Sequence, residues 1–468
     1  MKKIQFMPKF KKNLLPPPDK SILIRALITG GFFGKYLPPL VLSFDKKALL
    51  PLCEDVSSAI LCLSQLNAEL KTKKGQISVL PITQFDFEAP KTLNAGNSAT
   101  VLRLVLGAAA AHNIPIEISG DASLNARSHQ STIEALEHIG ANFEKPKKKR
   151  INQAINPNQN QIPIVLLKSE TKISGKIFRP KSPSAQTKSA VLLASLTAKQ
   201  KATIEEKIKT RDHTERLLSF LNLSNDLINN FDANQKNLPP NQKPPKPIIL
   251  KIPPCISSSS FLIARALLTL NGRLKIKSVG LNETRAEFLN ILKQSGFDIS
   301  IKKTALFGHE QVGQIIAKGA KISKKEPKKY LPISINEQNI VSVIDEVPIL
   351  AVMACFCEGK SVFSGLSALR NKESDRAEQI FNMLKSFGAR VSLDGDTLEI
   401  VGNKAIKGLQ KGAHFIASKD CPVVSSSDHR IVMAGAVFGS VVENGCNILN
   451  PEAIKVSYPN FFKDMGLN

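Results

Sequence analysis

The chain has 468 residues, of which 42% are hydrophobic and 22% charged, and 64 Lys and Arg against 39 Asp and Glu leave a formal charge of +25. That length exceeds what a single hydrophobic core serves, so two domains are expected, and the charge calls for anionic partners: phosphorylated metabolites, nucleic acid or a membrane surface. No apolar run reaches the roughly 18–20 residues that span a bilayer, and seven dispersed Cys with seven scattered His suggest neither a disulfide framework nor a metal site.

The opening residues 1–21, MKKIQFMPKFKKNLLPPPDKS, carry lysines with no continuous apolar stretch behind them. A secretory leader is therefore not expected, and the chain is placed in the cytoplasm. Helix-forming runs then repeatedly follow short polar clusters. They occur at residues 16–27 (PPPDKSILIRAL), 94–109 (NAGNSATVLRLVLGAA) and 120–136 (GDASLNARSHQSTIEAL). They return at 180–196 (PKSPSAQTKSAVLLASL), 209–218 (KTRDHTERLL), 343–354 (VIDEVPILAVMA) and 426–435 (SSDHRIVMAG). At 369–381 (LRNKESDRAEQIF) charges of both signs are interleaved just before an apolar helical pattern.

In each of these the polar cluster falls where a helix would begin, and helix N-termini attract phosphate and carboxylate. Capping alone accounts for Ser98, Ser184 and Asp345 taken singly. It does not account for the repeated company of Lys20, Arg25, Arg103, Arg127, Lys188, Arg211, Arg376 and Arg430. Convergence on an anionic ligand is expected.

Two segments, 144–163 and 225–247, are rich in Asn, Gln, Lys and Pro and read as exposed loops, the second ahead of a crossover between domains. The basic run 145–150 within the first has no interleaved aromatics and reads as a solvated hairpin tip rather than a nucleic-acid patch.

A six-residue helix ending recurs along the chain. It reads LSQLNA from Leu63, LEHIGA from Leu136 and LSFLNL from Leu218, then LKQSGF from Leu292, LKSFGA from Leu384 and FKDMGL from Phe462. The spacings are 73, 82, 74, 92 and 78 residues, close to one sixth of the chain. Gly and Asn tolerate the left-handed conformation that closes a helix, so each copy predicts a C-cap. Short alternating segments such as ARVSLDGDTLEIV after the fifth copy add strands. Six mixed α/β units, three per domain, are expected.

The motifs DKS (19–21), GNSAT (96–100), GDASL (120–124), SAQ and KSA (184–190), TRDHTE (210–215), GLNETR (280–285), IDE (344–346), KESDR (372–376) and DHR (428–430) occur in the order found in 5-enolpyruvylshikimate-3-phosphate synthases. From about Asp19 to its end the chain resembles that family, and its SAQ and TRDHTE wording is similar to the bacterial class that tolerates glyphosate. The resemblance implies a two-domain inside-out α/β barrel, each domain three βαβαββ units with buried helices. The domains would be 20–250, on the shikimate 3-phosphate side, and 1–19 plus 251–468, with crossovers near 19–20 and 248–252. They would close over shikimate 3-phosphate and phosphoenolpyruvate, join the carboxyvinyl group to the 5-hydroxyl and release phosphate.

By motif match, Lys20, Arg127, Arg376 and Arg430 clasp phosphoenolpyruvate, assisted by Gln186 and the backbone near Ala99. Ser21 and Arg25 hold the shikimate carboxylate. Ser184, Ala185, Thr210 and Arg211 hold the 3-phosphate, with Gln186, Lys20, Asp345 and Lys372 also on that substrate. Asp345 takes the hydroxyl proton; Glu373 delivers and removes the C3 proton, with Lys20 assisting, and Arg376 shares its helical face three residues on. Asp375 reads as structural, and Arg103 stays open between ligand contact and loop support. No cofactor and no metal are implied, the partners are the two small-molecule substrates without nucleic acid or membrane, and a monomer is expected.

Pro18, Leu23, Ile24, Ser128, His129 and Cys255 depart from the family pattern, though none removes a charged residue given a role. Ala99 stands where glyphosate-sensitive members carry Gly. The rival readings are the sister enzyme acting on UDP-N-acetylglucosamine, a nucleic-acid-binding protein, and an inactive paralogue. The first usually places a reactive Cys on a first-domain loop, and here none lies between Cys62 and Cys255. The second is disfavoured by three Tyr, no Trp and no binding module.

Overall fold

The computed structural model describes residues 1–45, 51–73, 75–145, 163–169, 177–198, 202–224, 226–228, 246–321, 329–370, 372–402 and 421–467. Residues 146–150 of the basic run and nearly all of the two Asn/Pro/Lys-rich segments lie outside the described residues. The chain divides into two compact units. An inserted unit comprises Pro18–Ile252 with Phe307–Glu310, and a flanking unit comprises Met1–Pro17, Pro253–Leu306 and Gln311–Asn468.

Four sheets share one plan: an edge strand runs parallel to the second, the second antiparallel to the third, and the third antiparallel to the fourth. In the inserted unit these are Ile248–Lys251, Leu40–Ser43, Gln76–Leu80 and Glu69–Lys73, then Lys91–Asn94, Ile116–Ser119, Ile164–Leu167 and Asn142–Phe143. The flanking unit repeats the order with Lys11–Leu14, Arg273–Gly280, Glu310–Lys318 and Asp298–Phe307. It does so again with Ser334–Ile335, Gly359–Phe363, Thr397–Gly402 and Arg390–Asp394. Two smaller sheets begin the same way, Ile177–Phe178 with Thr203–Ile204 and Val423–Val424 with Cys446–Ile448. The last of these gains its third strand from the N-terminus, Lys2–Ile4. Among the described residues each unit thus holds three sheets, one per repeat.

Inside each unit lie helices that are apolar on nearly every side, as helices enclosed by other elements must be. In the flanking unit every residue of Ile256–Leu267, Val347–Ala354 and His429–Val441 is buried. In the inserted unit Lys20–Phe33, Ala99–Ala111 and Ala185–Ala194 are buried along most of their length. A Cβ on Gly107 would stand 2.3 Å from the Ala190 carbonyl oxygen, so the two helices pass this closely only because that position is glycine. This is the inside-out α/β architecture.

All six predicted helix endings close through the left-handed region: Asn67, Gly140, Asn222, Gly296, Gly388 and Gly466 have φ of 64, 110, 51, 91, 75 and 87°. In every copy the sixth residue donates to the first carbonyl, from Ala68 to Leu63 at 2.9 Å in the first and from Leu467 to Phe462 at 2.8 Å in the last. That is the Schellman closure.

At the end of the Ala99 helix, His112 sits in a box of aromatic rings, stacked on Phe85 at 4.2 Å and tilted against Phe33 at 4.8 Å. Burial first, then the Lys35 charge, push its imidazole down to about 3. The folded chain keeps this ring neutral while the unfolded chain protonates it near pH 6.5. Its contribution is therefore complete above that pH and is lost as pH falls toward 3, with a slope of about 1.4 kcal/mol per pH unit. Urea titrations between pH 7 and 4 should show this slope, and His112→Phe, which fills the box with a neutral ring, should flatten it by one proton; an unchanged slope would rule the account out.

Candidate active site

The N-termini of the buried helices carry the motifs that stood out in the sequence. In the inserted unit Asp19 caps the Lys20–Phe33 helix, accepting from the Ser21 and Ile22 amides at 2.9 and 3.2 Å. Lys20, the first helical residue, pairs with Asp55 of the neighbouring Glu54–Gln65 helix. One turn on, the buried Arg25 donates to the Ser21 carbonyl and to the hydroxyls of Thr214 and Ser189, at 2.9, 2.9 and 3.1 Å. It ties the Lys20 helix to its neighbours directly beneath Ser21.

Ser98 caps the helix that opens at Ala99, and Ser184 caps the one that opens at Ala185. Between these two N-termini Arg103 donates to the Gln186 carboxamide oxygen at 2.6 Å, and Gln186 donates to Thr100 at 2.8 Å. Arg103 also holds the Ser128 carbonyl at 3.2 Å. Arg103 therefore supports Gln186 and the loop. Burial, then the nearby Arg127 charge, press its guanidinium down to about 10. Arg127 in turn donates to Asn97 and Ser123 at 2.9 and 3.2 Å.

Lys188, on the Ala185 helix, bridges Glu206 and Glu215 at 2.9 and 2.7 Å. Glu206 accepts from the Thr210 hydroxyl and amide, which fixes Thr210, with the half-buried Arg211 next to it in the chain. His129, where the family carries another residue, is buried with its ring 3.2 Å from the Leu124 carbonyl. Burial, then Arg103, hold it down to about 4, so it adds no charge to this cationic group at neutral pH.

In the flanking unit Arg430, near the start of the His429–Val441 helix, donates to Ser257 at 2.8 Å and to the Asp345 carbonyl at 3.0 Å. One side chain thereby joins the N-termini of all three buried helices of that unit. The Asp345 carboxylate lies 3.3 Å from Arg430, 3.7 Å from Arg376 and 3.9 Å from Arg285. Arg376 is fully buried, donates to Asp428 at 2.9 Å and pairs with Glu373. Burial alone would lower its guanidinium, but Asp428, Glu373 and Asp345 outweigh it and the net direction is upward. Asp428 also caps its own helix through the Arg430 amide at 2.9 Å.

Two expectations need correction. Glu373 and Arg376 do not share a helical face: residues 372–375 form a bend and the helix begins at Arg376, so the pair is made across the turn before it. Asp345 is not a cap; Glu346 stands at that position and no side chain caps the helix, which leaves the Asp345 carboxylate to the arginines. Asp375 does cap the Arg376 helix and pairs with Arg370 at 2.8 Å. Lys372 lies half-buried on the bend with Glu373.

The sequence reading gave no role to Asp55, Glu206, Arg285 or Asp428. Arg285 and Asp428 stood inside quoted motifs and could have been flagged there. Asp55, in the unremarkable run CEDVSS, offered no local signal. Among the described residues no group of His, Cys, Asp and Glu could hold a metal ion, and no helix is long and apolar enough to cross a membrane.

What each unit presents is helix N-termini and guanidinium groups fixed by carboxylates and hydroxyls, an arrangement suited to oxyanions. Removing Asp428 would leave Arg376 and the His429 helix without their shared carboxylate. Asp428→Ala should lose about 3–5 kcal/mol of stability in urea unfolding, and a loss below about 1 kcal/mol would show that the pair is dispensable.

The chain matches the family model described as EPSP synthase (3-phosphoshikimate 1-carboxyvinyltransferase) over residues 9–465. It is 32% identical over 461 residues to a 3-phosphoshikimate 1-carboxyvinyltransferase of Caldicellulosiruptor bescii, covering 98% of this chain and 97% of that one. It is 33% identical over 451 residues to the same-named protein of Petrotoga mobilis, with 95% and 94% covered. Among solved structures, EPSP synthase from Acinetobacter baumannii superposes with a TM-score of 0.73 at 25% identity, over 99% of this chain and 97% of that one. The enolpyruvyl transferase NikO from Streptomyces tendae shares the fold, with a TM-score of 0.65 at 11% identity over 99% and 96%.

Proposed function

The chain belongs to the EPSP synthase (3-phosphoshikimate 1-carboxyvinyltransferase) family, and from that premise we propose how its own residues carry the reaction. The enzyme transfers the carboxyvinyl group of phosphoenolpyruvate to the 5-hydroxyl of shikimate 3-phosphate, by addition and elimination, with release of phosphate. Both substrates carry phosphate and carboxylate, so several negative charges must be neutralised by preorganised cations.

The observation that carries the assignment is the Asp345 carboxylate among Arg430, Arg376 and Arg285, with Glu373 held on Arg376. In our reading Asp345 accepts the proton of the attacking 5-hydroxyl. Glu373 gives a proton to C3 as the 5-oxygen forms its bond to C2, and takes one back as the C2–O bond to phosphate breaks, with Lys20 assisting. The carboxylates thus have opposed tasks in different surroundings. Lys20, Arg127, Arg376 and Arg430, with Gln186 and the backbone at Ala99, hold phosphoenolpyruvate, the arginine forks suiting bidentate contact with its carboxylate and phosphate. Ser21, Arg25, Ser184, Ala185, Thr210, Arg211 and Lys372 hold shikimate 3-phosphate, with Lys20, Gln186 and Asp345 also on that substrate.

The inserted unit is taken as the shikimate 3-phosphate domain and the flanking unit as its companion. We further read the enzyme as a cytoplasmic monomer without a cofactor. Seven free cysteines, six of them buried, support a reducing compartment, and burial pushes Cys62 and Cys357 up to about 12, which keeps them unreactive.

Phosphate release from the two substrates tests the assignment. Asp345→Asn and Glu373→Gln should each lower kcat by about 10²–10⁴ while the chain stays folded; either variant at full rate removes that residue from the chemistry. UDP-N-acetylglucosamine in place of shikimate 3-phosphate should release no phosphate.

Ala99 opens its helix half-buried, and its methyl group supports a second expectation. Inhibition by glyphosate should be weak in the native chain and strengthen at least tenfold in Ala99→Gly; micromolar inhibition of the native chain would contradict it.

A further inference from the structure

Far along the Ile256–Leu267 helix from Ser257, a cavity of about 670 Å³ opens in the flanking unit. The described residues that line it include Lys9, Lys11, Lys12 and Arg265 and no carboxylate, set among Phe10, Leu268 and Met465. Arg265 is fully buried. Its guanidinium donates to the Met7 carbonyl at 2.6 Å and to the Thr269 hydroxyl, and stacks on Phe10 with 5.3 Å to the ring centroid. Its Nε has no partner, and among the described residues no carboxylate pairs with it. Lys12 donates to the carbonyls of Lys463 and Asp464, the latter at 2.8 Å, and lies over the Phe10 ring at 6.0 Å, while the Asp464 carboxylate, near enough to feel the Lys12 charge, is bonded to the Tyr458 hydroxyl at 2.6 Å.

A guanidinium taken out of water with neutral partners alone is unfavourable, and an adjacent anion relieves it strongly because so little water intervenes. Arg376, another buried arginine of this unit, has three carboxylates around it, whereas Arg265 faces a cavity lined by three lysines. We propose that this cavity is a second ligand site, which takes a small organic anion with a carboxylate or phosphate group on an apolar, ring-sized body. The anionic group sits by Arg265 and the three lysines, and the body rests on Phe10, Leu268 and Met465. The volume falls within the range of small-molecule sites, and the mix of apolar wall and few polar groups is theirs too.

A plainer account exists. Arg265 stands in the last turn of its helix, where a cation favours the carbonyl end, and it could merely tie down the N-terminal segment through Met7. That account needs neither the cavity nor the lysines and gives no ligand binding.

Calorimetric titration of the full chain, saturated with shikimate 3-phosphate, separates the two, with phenyl phosphate and inorganic phosphate as probes. A saturable phenyl phosphate site is expected that weakens at least tenfold in Arg265→Met, keeps part of its affinity in Arg265→Lys and is unchanged in Arg430→Gln. Inorganic phosphate should bind at least tenfold more weakly, because the apolar wall is unused. Should Arg265→Met fail to fold, the surface pair Lys9→Ala with Lys11→Ala serves instead and should weaken phenyl phosphate at least threefold. Turnover without the probe should match the native rate in all Arg265 and lysine variants. No saturable site, equal affinity in the Arg265 or lysine variants, loss in Arg430→Gln, or equal binding of the two probes would each overturn the proposal.

Discussion

Positive charge buried at helix N-termini is the constraint on which the rest depends. Arg376, Arg430 and Arg285 all reach toward one carboxylate, Asp345, and a second, Asp428, holds Arg376 from the other side. Guanidinium groups out of water need acceptors, and the ones provided here are placed so that much of the cation donor capacity is fixed in direction before any substrate arrives. The cost of moving charge during reaction is then low, because the surrounding dipoles need no reorganisation.

The buried helices give that network its position. Because they are enclosed by sheets, their sides carry almost nothing but apolar groups, and polar chemistry is pushed to their ends. Ser98, Ser184, Asp19 and Asp428 cap four of them, and the charged residues lie in the first turn or two. Four of the six Schellman closures lead straight into a strand, at Glu69, Asn142, Asp298 and Arg390. Each of these is the last strand in one of the four sheets that share a single order.

The inserted unit uses a different means to the same end. There Arg25 donates to the hydroxyls of Thr214 and Ser189, and Arg103 to the Gln186 carboxamide. Lys188 takes the carboxylates of Glu206 and Glu215 instead, and the net result is to fix Thr210.

Periodicity and local chemistry were enough to reveal the six repeats, the six left-handed helix ends and the helix starts at Lys20, Ala99, Ala185 and His429, because capping and C-terminal closure depend on residues a few positions apart. The residues proposed for the site drew attention for a related reason: they stand in motifs that precede or open helices. What the sequence could not contain is which side chains meet. Asp55 for Lys20, Glu206 for Lys188, Asp428 for Arg376 and Ser257 for Arg430 are 35, 18, 52 and 173 residues apart. The bend at residues 372–375 was likewise hidden, since a charged run before an apolar helix suits a first helical turn as well as a turn outside it. Partners that distant are selected by the packing of helices against one another, and only the folded chain sets that.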